Sequence, residues 1–72
     1  MEEKLQILYM QMRLVRMAAK KWKMSIPEAA NFFALHGVFR YIEDFFGLFH
    51  VEGDAAIFDD IKQYLKNKGV KR

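Results

Sequence analysis

Residues 37–50 read GVFRYIEDFFGLFH, and this aromatic run predicts the central element of the fold. At 100° per residue, its apolar side chains fall on one face of a helix and its polar side chains on the other. The apolar face contains Val38, Phe39, Ile42, Phe45, Phe46 and Phe49, and the polar face contains Arg40, Glu43, Asp44 and Gly47. Burial of one Phe side chain contributes roughly 1.5–3 kcal/mol. We therefore expect this helix at the centre of the hydrophobic core.

A long helix is predicted before this run, from Glu2 to about Lys23. The segment has no Gly or Pro and is rich in strong helix formers. Its apolar side chains form two neighbouring stripes at three-to-four-residue spacing. The first stripe contains Leu5, Leu8, Met12, Val15, Ala19 and Trp22, and the second contains Ile7, Met10, Leu14 and Met17. Four short helices can hardly cover both stripes, so the second is either further core or a surface for a partner.

The helix between these two segments has the clearest end signals in the chain. Ser25 is a favourable N-cap, Pro27 lies in the first turn, and Glu28 follows the cap by three residues, which is the pattern of a capping box. The helix is expected to run to about His36. Gly37 then suits the left-handed conformation that commonly ends a helix.

The sequence allows two readings for the start of the last helix and one for its end. Asp59 or Asp60 is predicted to cap it, and it continues to about Lys68. Residues 55–58 are read either as an extended segment or as a first helical turn. Residues 70–72 are expected to fray.

Together these elements predict an all-α fold, a compact bundle of about four helices that forms a single domain over residues 1–72. The sequence also allows a short extended segment before the last helix. The chain contains 53% hydrophobic residues, which argues against intrinsic disorder. It has no Cys, so disulfides and thiolate metal sites are excluded. A core this small is marginal alone, so a homodimer or another protein partner is expected.

Charge and hydropathy predict a cytoplasmic protein. Glu2 and Glu3 occupy the positions where a signal peptide carries positive charge, and Arg13 and Arg16 interrupt the following apolar residues. No apolar run is long enough to span a membrane. The net charge of +3 permits an acidic partner without requiring nucleic acid.

The first helix supplies the candidate binding residues. We expect its second apolar stripe to dock on a partner, with basic side chains at the polar rim. The predicted site contains Met10, Leu14, Met17, Arg13, Arg16 and Lys20. The alternative is a small nucleic-acid-binding domain that uses the same basic residues. A helix-turn-helix reading of the turn at Gly37 is weaker, because Glu43 and Asp44 would face the DNA phosphates.

No residue set predicts catalysis, and no cofactor is expected. The only Ser is the predicted cap Ser25, and the chain has no Thr, which nearly excludes a hydroxyl nucleophile. His50, Glu52 and Asp54 follow the aromatic run and could form a site in the loop. His-x-Glu-x-Asp is a weak metal signal, so we expect no metal there. A His50 side chain that fastens the loop by a hydrogen bond is the favoured interpretation.

From Ser25 onward the chain carries a recognisable set of residues. They are Ser25, Glu28, Gly37-Val38, Tyr41-Ile42, Phe45-Phe46, His50, Gly53 and Asp59-Asp60-Ile61. In order and spacing this set resembles a family of short bacterial proteins catalogued as a domain of unknown function, number 3791. The chain departs from the family at Phe39, where Leu is frequent, and at Val51, where a small polar residue is frequent. Members often lie beside genes for ADP-ribosyltransferase-like proteins, so the resemblance implies a neutralising partner in a toxin–antitoxin-like pair.

Overall fold

Helices make up all the regular secondary structure of residues 2–70, the part of the chain that the computed structural model describes. The elements are α1 (Glu3–Lys21), α2 (Ile26–Leu35), α3 (Val38–Asp44), α4 (Phe46–Phe49) and α5 (Asp54–Asn67). They pack into a compact bundle, and α4 is a single turn of 4 residues. The predicted all-α class and the bundle of about four helices are therefore confirmed.

Helix α1 is the central element, because it contacts α2, α3 and α5. Its buried residues are Met10, Leu14, Val15, Ala18 and Ala19. The exposed fractions of Leu5, Leu8 and Met12 are 43%, 45% and 46%. The assignment of the two stripes was thus wrong in part: the N-terminal half of the first stripe faces solvent, and the centre of the second lies in the core. Two stripes of equal apolarity give no indication of which side the other helices will cover.

Helix α2 has the ends that its sequence predicts. The Ser25 hydroxyl accepts a hydrogen bond from the Glu28 N–H at 3.1 Å, and the Glu28 carboxylate accepts one from the Ser25 N–H at 2.8 Å. This reciprocal pair confirms the capping box. At the other end Gly37 has a φ of +72°, which confirms the left-handed residue. The chain then turns directly into α3.

The aromatic run forms two helices, so the prediction of one continuous helix was wrong. The break lies at Phe45, whose φ of −109° and ψ of 14° depart from helical values. Val38, Ile42, Phe46 and Phe49 are buried as predicted. The break turns Phe45 out of this face and leaves it 44% exposed. The polar residues of the run lie on the solvent side.

Helix α5 begins earlier than predicted. Gly53 is its N-cap and Asp54 its first residue, so residues 55–58 are helical and neither Asp59 nor Asp60 is the cap. Ile57 and Phe58 are buried together with Ile61 and Leu65, which shows why the helix must include them.

The end of α5 is also ordered further than predicted. Gly69 has a φ of +79°, and the Val70 N–H donates to the Leu65 carbonyl at 2.9 Å. The Gly69 N–H donates to the Lys66 carbonyl at 3.0 Å, and the two bonds together form a Schellman motif. The prediction that Val70 frays was therefore wrong, and residues 71–72 lie outside the described residues.

The core is apolar throughout. Phe33, Phe58 and Leu14 are among its largest fully buried side chains. The Trp22 ring closes one end of the core, with centroids 5.4 Å from Phe32 and 5.3 Å from Phe58. No charged or polar residue within residues 2–70 is buried. Each helix in this range lacks the combined length and apolar character that a bilayer crossing requires.

Candidate functional site

An apolar groove runs along the exposed side of α1, where α2 and α3 pack against it. It encloses about 510 Å³ and is open to solvent. We call it the α1–α2 groove. Its lining consists of Leu8, Gln11, Met12, Val15 and Arg16 from α1, Ile26 and Ala30 from α2, and Phe39 from α3. Apart from Gln11 and Arg16, every lining side chain is apolar, which is typical of a binding surface.

The shape of the groove follows from local packing. Gln11 Nε2 donates a hydrogen bond to the Phe39 carbonyl at 3.1 Å, which ties α3 to α1 at the floor of the groove. The Phe39 ring contacts Phe33 edge-on, with a centroid distance of 5.6 Å. Ala30 has only a methyl group, so the space between its larger neighbours stays open. A groove with such a hydrogen-bonded floor exists before any partner binds.

A shallow basic depression lies beside the groove on α1. It is lined by Arg13, Arg16, Met17, Lys20, Lys21 and Asp54. Three of these cations, Arg13, Arg16 and Lys20, belong to the predicted binding site. The Arg13 side chain is already engaged, because its Nε lies 3.0 Å and its Nη2 3.4 Å from the Asp54 carboxylate oxygens. Arg16 and Lys20 form no salt bridge with any residue from 2 to 70.

Two of the predicted partner-binding residues cannot serve that purpose in the folded chain. Met10 is 3% exposed and Leu14 is fully buried in the core. Met17 is partly buried and lines the basic depression. The prediction that Met10 and Leu14 form an exposed stripe was wrong, because α1 packs its neighbours against that side. The apolar surface left for a partner lies on the opposite side, around Leu8 and Met12.

The predicted loop site does not assemble, because its three side chains turn to different neighbours. His50 Nδ1 lies 3.1 Å from the Phe46 carbonyl oxygen, and the imidazole stacks on the Phe46 ring. Asp54 pairs with Arg13. Within residues 2–70 no group of three or more His, Cys, Asp or Glu side chains could hold a metal ion. The hydrogen bond of His50 is made to its own helical turn in α4 and not to the loop, so a role in fastening the loop stays a prediction.

Glu52, the third residue of that loop, faces Asp60 on α5. Loss of hydration, the charge of Asp60 and a side-chain hydrogen bond with Asp60 raise the pKa of Glu52. Burial, followed by the charges of Asp60, Glu52 and Tyr64, raises the pKa of Tyr41. Raised pKa values can mark a functional site. Here loss of hydration and the neighbouring Asp60 carboxyl account for the raised pKa of Glu52, and burial is the largest cause at Tyr41, so neither raised pKa requires a functional site.

A polar cluster that the sequence did not suggest joins α5 to the turn between α2 and α3. The Tyr64 hydroxyl donates to the His36 carbonyl at 3.2 Å, and Lys68 Nζ donates to the same oxygen at 2.9 Å. The Tyr64 ring stacks on Tyr41 with centroids 4.3 Å apart. These contacts satisfy a carbonyl at the end of α2 and hold the turn in place. Their role is structural.

The apolar groove residues were missed because each looked like ordinary core. Leu8 and Met12 belong to the stripe that was assigned to the interior. Ile26 follows the helix cap and is 53% exposed. The available signal was the excess of apolar surface on the first helix together with an isoleucine at the start of the next.

Comparison with known proteins gives one match. The sequence model of a family described as "Protein of unknown function (DUF3791)" matches residues 9–68. This range contains every groove residue except Leu8. No curated protein and no solved structure matches the chain.

Proposed function

The chain belongs to the family described as protein of unknown function (DUF3791), and from that premise we propose that it is a non-catalytic module that binds another protein through the α1–α2 groove. The single observation that carries this proposal is the groove itself. Leu8, Met12 and Ile26 leave about half of their surfaces in water although a packed core lies directly beneath. Covering them would gain roughly 25 cal/mol for each Å² of apolar surface removed from water.

The surroundings of the groove also suit protein binding. Interfaces typically combine an apolar centre with a polar rim. Arg16 lines the groove and Lys20 continues the same side of α1, so the rim is cationic. Arg16 and Lys20 were predicted as residues of the polar rim, and they have the same role in this proposal. Leu8 and Met12 take the place of Met10 and Leu14 as apolar anchors.

The partner class comes from the family resemblance. Members often lie beside genes for ADP-ribosyltransferase-like proteins, so we propose that the partner is such a protein and that binding neutralises it. A small module suits this role, because it can block a larger protein by covering one surface. The genetic association of family members suggests the candidate partner, and the α1–α2 groove is the proposed binding surface for it.

Co-purification with an ADP-ribosyltransferase-like protein of the kind encoded beside the genes of family members tests the proposal. The two chains are co-expressed with an affinity tag on the enzyme-like partner. We expect the wild-type module to co-purify and Met12→Glu to be lost, because the charge would lie in the apolar groove. Leu48→Glu is the matched control, since Leu48 is 63% exposed on α4 and lies outside the groove lining. Circular dichroism checks that both variants stay folded.

Retention of both variants, or loss of Leu48→Glu alone, would contradict the groove as the binding site. Failure of the wild-type chain to co-purify would contradict the proposed partner class.

Nucleic-acid binding is the second candidate function. The observation that favours it is the pair of cations, Arg16 and Lys20, that lie together in the basic depression without a salt bridge to any residue from 2 to 70. The Asp54 carboxylate in the same depression offsets the charge of Arg13. This function predicts RNA or DNA binding that weakens steeply with salt and is abolished by Arg16→Glu and Lys20→Glu.

A further inference from the structure

Building on the proposed function, we infer that the α1–α2 groove takes an acidic amphipathic helix of another protein. The inference concerns the chemistry of the ligand, whichever protein supplies it. It rests on the spacing of the apolar side chains along the groove and on the charge of its edges.

The exposed apolar side chains of α1 form a row that suits contact with a helix. Leu8 and Met12 line the groove, and Leu5, which lies outside its lining, precedes Leu8 by three residues, so the three side chains project in a row from one side of α1. The row extends about 10 Å at 1.5 Å per residue. A helix with apolar residues at positions i, i+3 or i+4, and i+7 presents a row of the same length. On the opposite wall, Ile26 and Phe39 supply the second set of apolar contacts.

The edges of the groove on α1 are cationic. Arg16 lines the groove, and Lys20 lies one turn further along the same side. Lys4 precedes Leu8 by four residues and is exposed, so helix geometry places it near the other end of the row. A bound helix would therefore meet positive charge at both ends of its contact with α1.

The neighbouring carboxylates do not cancel this charge. Asp54 pairs with Arg13, so that pair is close to neutral. On the α2 wall, Glu28 accepts the hydrogen bond of the capping box from the Ser25 N–H and keeps its single negative charge. The two cations Arg16 and Lys20 exceed that charge, and carboxylates on the flank of a bound helix would complement them.

A second copy of this chain fits the groove less well. Each copy has a net charge of +3 and would bring its own basic depression toward the first. Like charges that face each other across an interface are unfavourable. A separate acidic helix avoids this repulsion.

Two labelled model peptides of about 20 residues test the inference, a length of roughly 30 Å as a helix. Both carry the same leucine face, with Glu on the flanks of one peptide and Lys on the flanks of the other. Fluorescence anisotropy with the full chain measures binding. We expect the Glu peptide to bind at least about tenfold more tightly, with an advantage that shrinks as salt screens the charges.

Charge reversal at the rim provides the decisive comparison. The double variant Arg16→Glu with Lys20→Glu should invert the preference, so that the Lys peptide binds more tightly. Lys62→Glu with Lys66→Glu changes the net charge equally on α5, outside the groove lining, and should keep the wild-type preference. Met12→Glu should weaken the binding of both peptides.

Any of the following three results would overturn the inference. Equal binding of both peptides that Met12→Glu abolishes would retain the groove as a docking site and reject an acidic ligand. Absence of peptide binding, together with a concentration-dependent dimer in light scattering that Met12→Glu dissociates, would assign the groove to a second copy. Absence of both peptide binding and dimer would reject the acidic helix, and co-purification would still decide the proposed function separately.

Discussion

At the scale of single residues, Gly37 illustrates how one position can meet two constraints. Its φ of +72° is a conformation that side chains with a Cβ adopt only at a cost. A Cβ at this position would also lie 2.9 Å from the Tyr64 hydroxyl oxygen. That hydroxyl donates to the His36 carbonyl, so a shift would disturb the bond that secures the turn.

Gly37→Ala is therefore expected to lower the free energy of unfolding by about 2 kcal/mol or more, since backbone strain alone costs roughly 1–2 kcal/mol. Urea denaturation followed by circular dichroism measures the change. Gly47→Ala is the matched control, because Gly47 lies in α4 and a Cβ added there would meet no other atom within 4 Å. There the change should stabilise by about 0.5–1 kcal/mol. Equal effects at both positions would contradict the role given to Gly37.

The carboxyl pair of Glu52 and Asp60 gives a second prediction at this scale. The pKa of Glu52 is raised in the folded protein, so its ionised form is less favourable there than in the unfolded chain. A raised carboxyl pKa lowers stability as pH rises through that pKa, and acidification relieves the effect. Glu52→Gln should therefore raise the melting temperature at pH 7 by at most a few degrees. The gain should vanish in acid, where the Glu52 carboxyl is protonated and uncharged.

Melting curves between pH 3 and pH 7 check this expectation. Asp60→Asn should give a smaller gain, because it removes the repulsion but not the loss of hydration at Glu52. The double variant should gain less than the sum, because either change alone removes the repulsion. A lower melting temperature for Glu52→Gln at pH 7 would refute the interpretation.

At the scale of elements, α1 shows the limit of periodicity as a guide to burial. The three-to-four spacing correctly predicted a helix with two apolar stripes. The same spacing could not say which stripe faces α2, α3 and α5. Val15 and Ala19 from the first stripe are buried together with Met10 and Leu14 from the second.

A pair of leucine substitutions tests this assignment. Leu14 is completely buried, so Leu14→Ala should destabilise the fold by about 2–5 kcal/mol. Leu8 is 45% exposed, so Leu8→Ala should cost no more than about 1 kcal/mol while weakening the binding of the acidic model peptide. Chemical denaturation and anisotropy provide the two measurements. A larger loss of stability for Leu8→Ala than for Leu14→Ala would reverse the assignment.

The aromatic run shows a second limit at this scale. Its spacing predicted the buried positions Val38, Ile42, Phe46 and Phe49 correctly, even though the helix breaks between them. Phe45 was misplaced because an ideal helix keeps one register, whereas the break at this residue changes it. Tyr41 and Phe49 still contact the Phe45 ring, with centroids 5.1 Å and 6.1 Å away.

At the scale of the whole molecule, α1 packs one side against the apolar core of the described bundle and leaves part of its other side exposed in the apolar α1–α2 groove. Short helices around α1 bury one side of it and part of the other. The remaining surface is what the proposed function uses. The family match covers residues 9–68, so the proposed mode of binding can be examined in other members through the residues that line their grooves.

The sequence by itself determined the helical class, the family, the capping box at Ser25 and the left-handed glycine at position 37. The capping box and the glycine depend on neighbours close along the chain, and the helical class and the family depend on residue types and their spacing, so the sequence pattern was sufficient. Tertiary structure alone decided which side of α1 is buried, where the aromatic run breaks, and that Tyr64 reaches a carbonyl 28 residues away. It also created the α1–α2 groove, because the surface left exposed depends on how three helices pack together, and chain-local patterns carry no information about that packing.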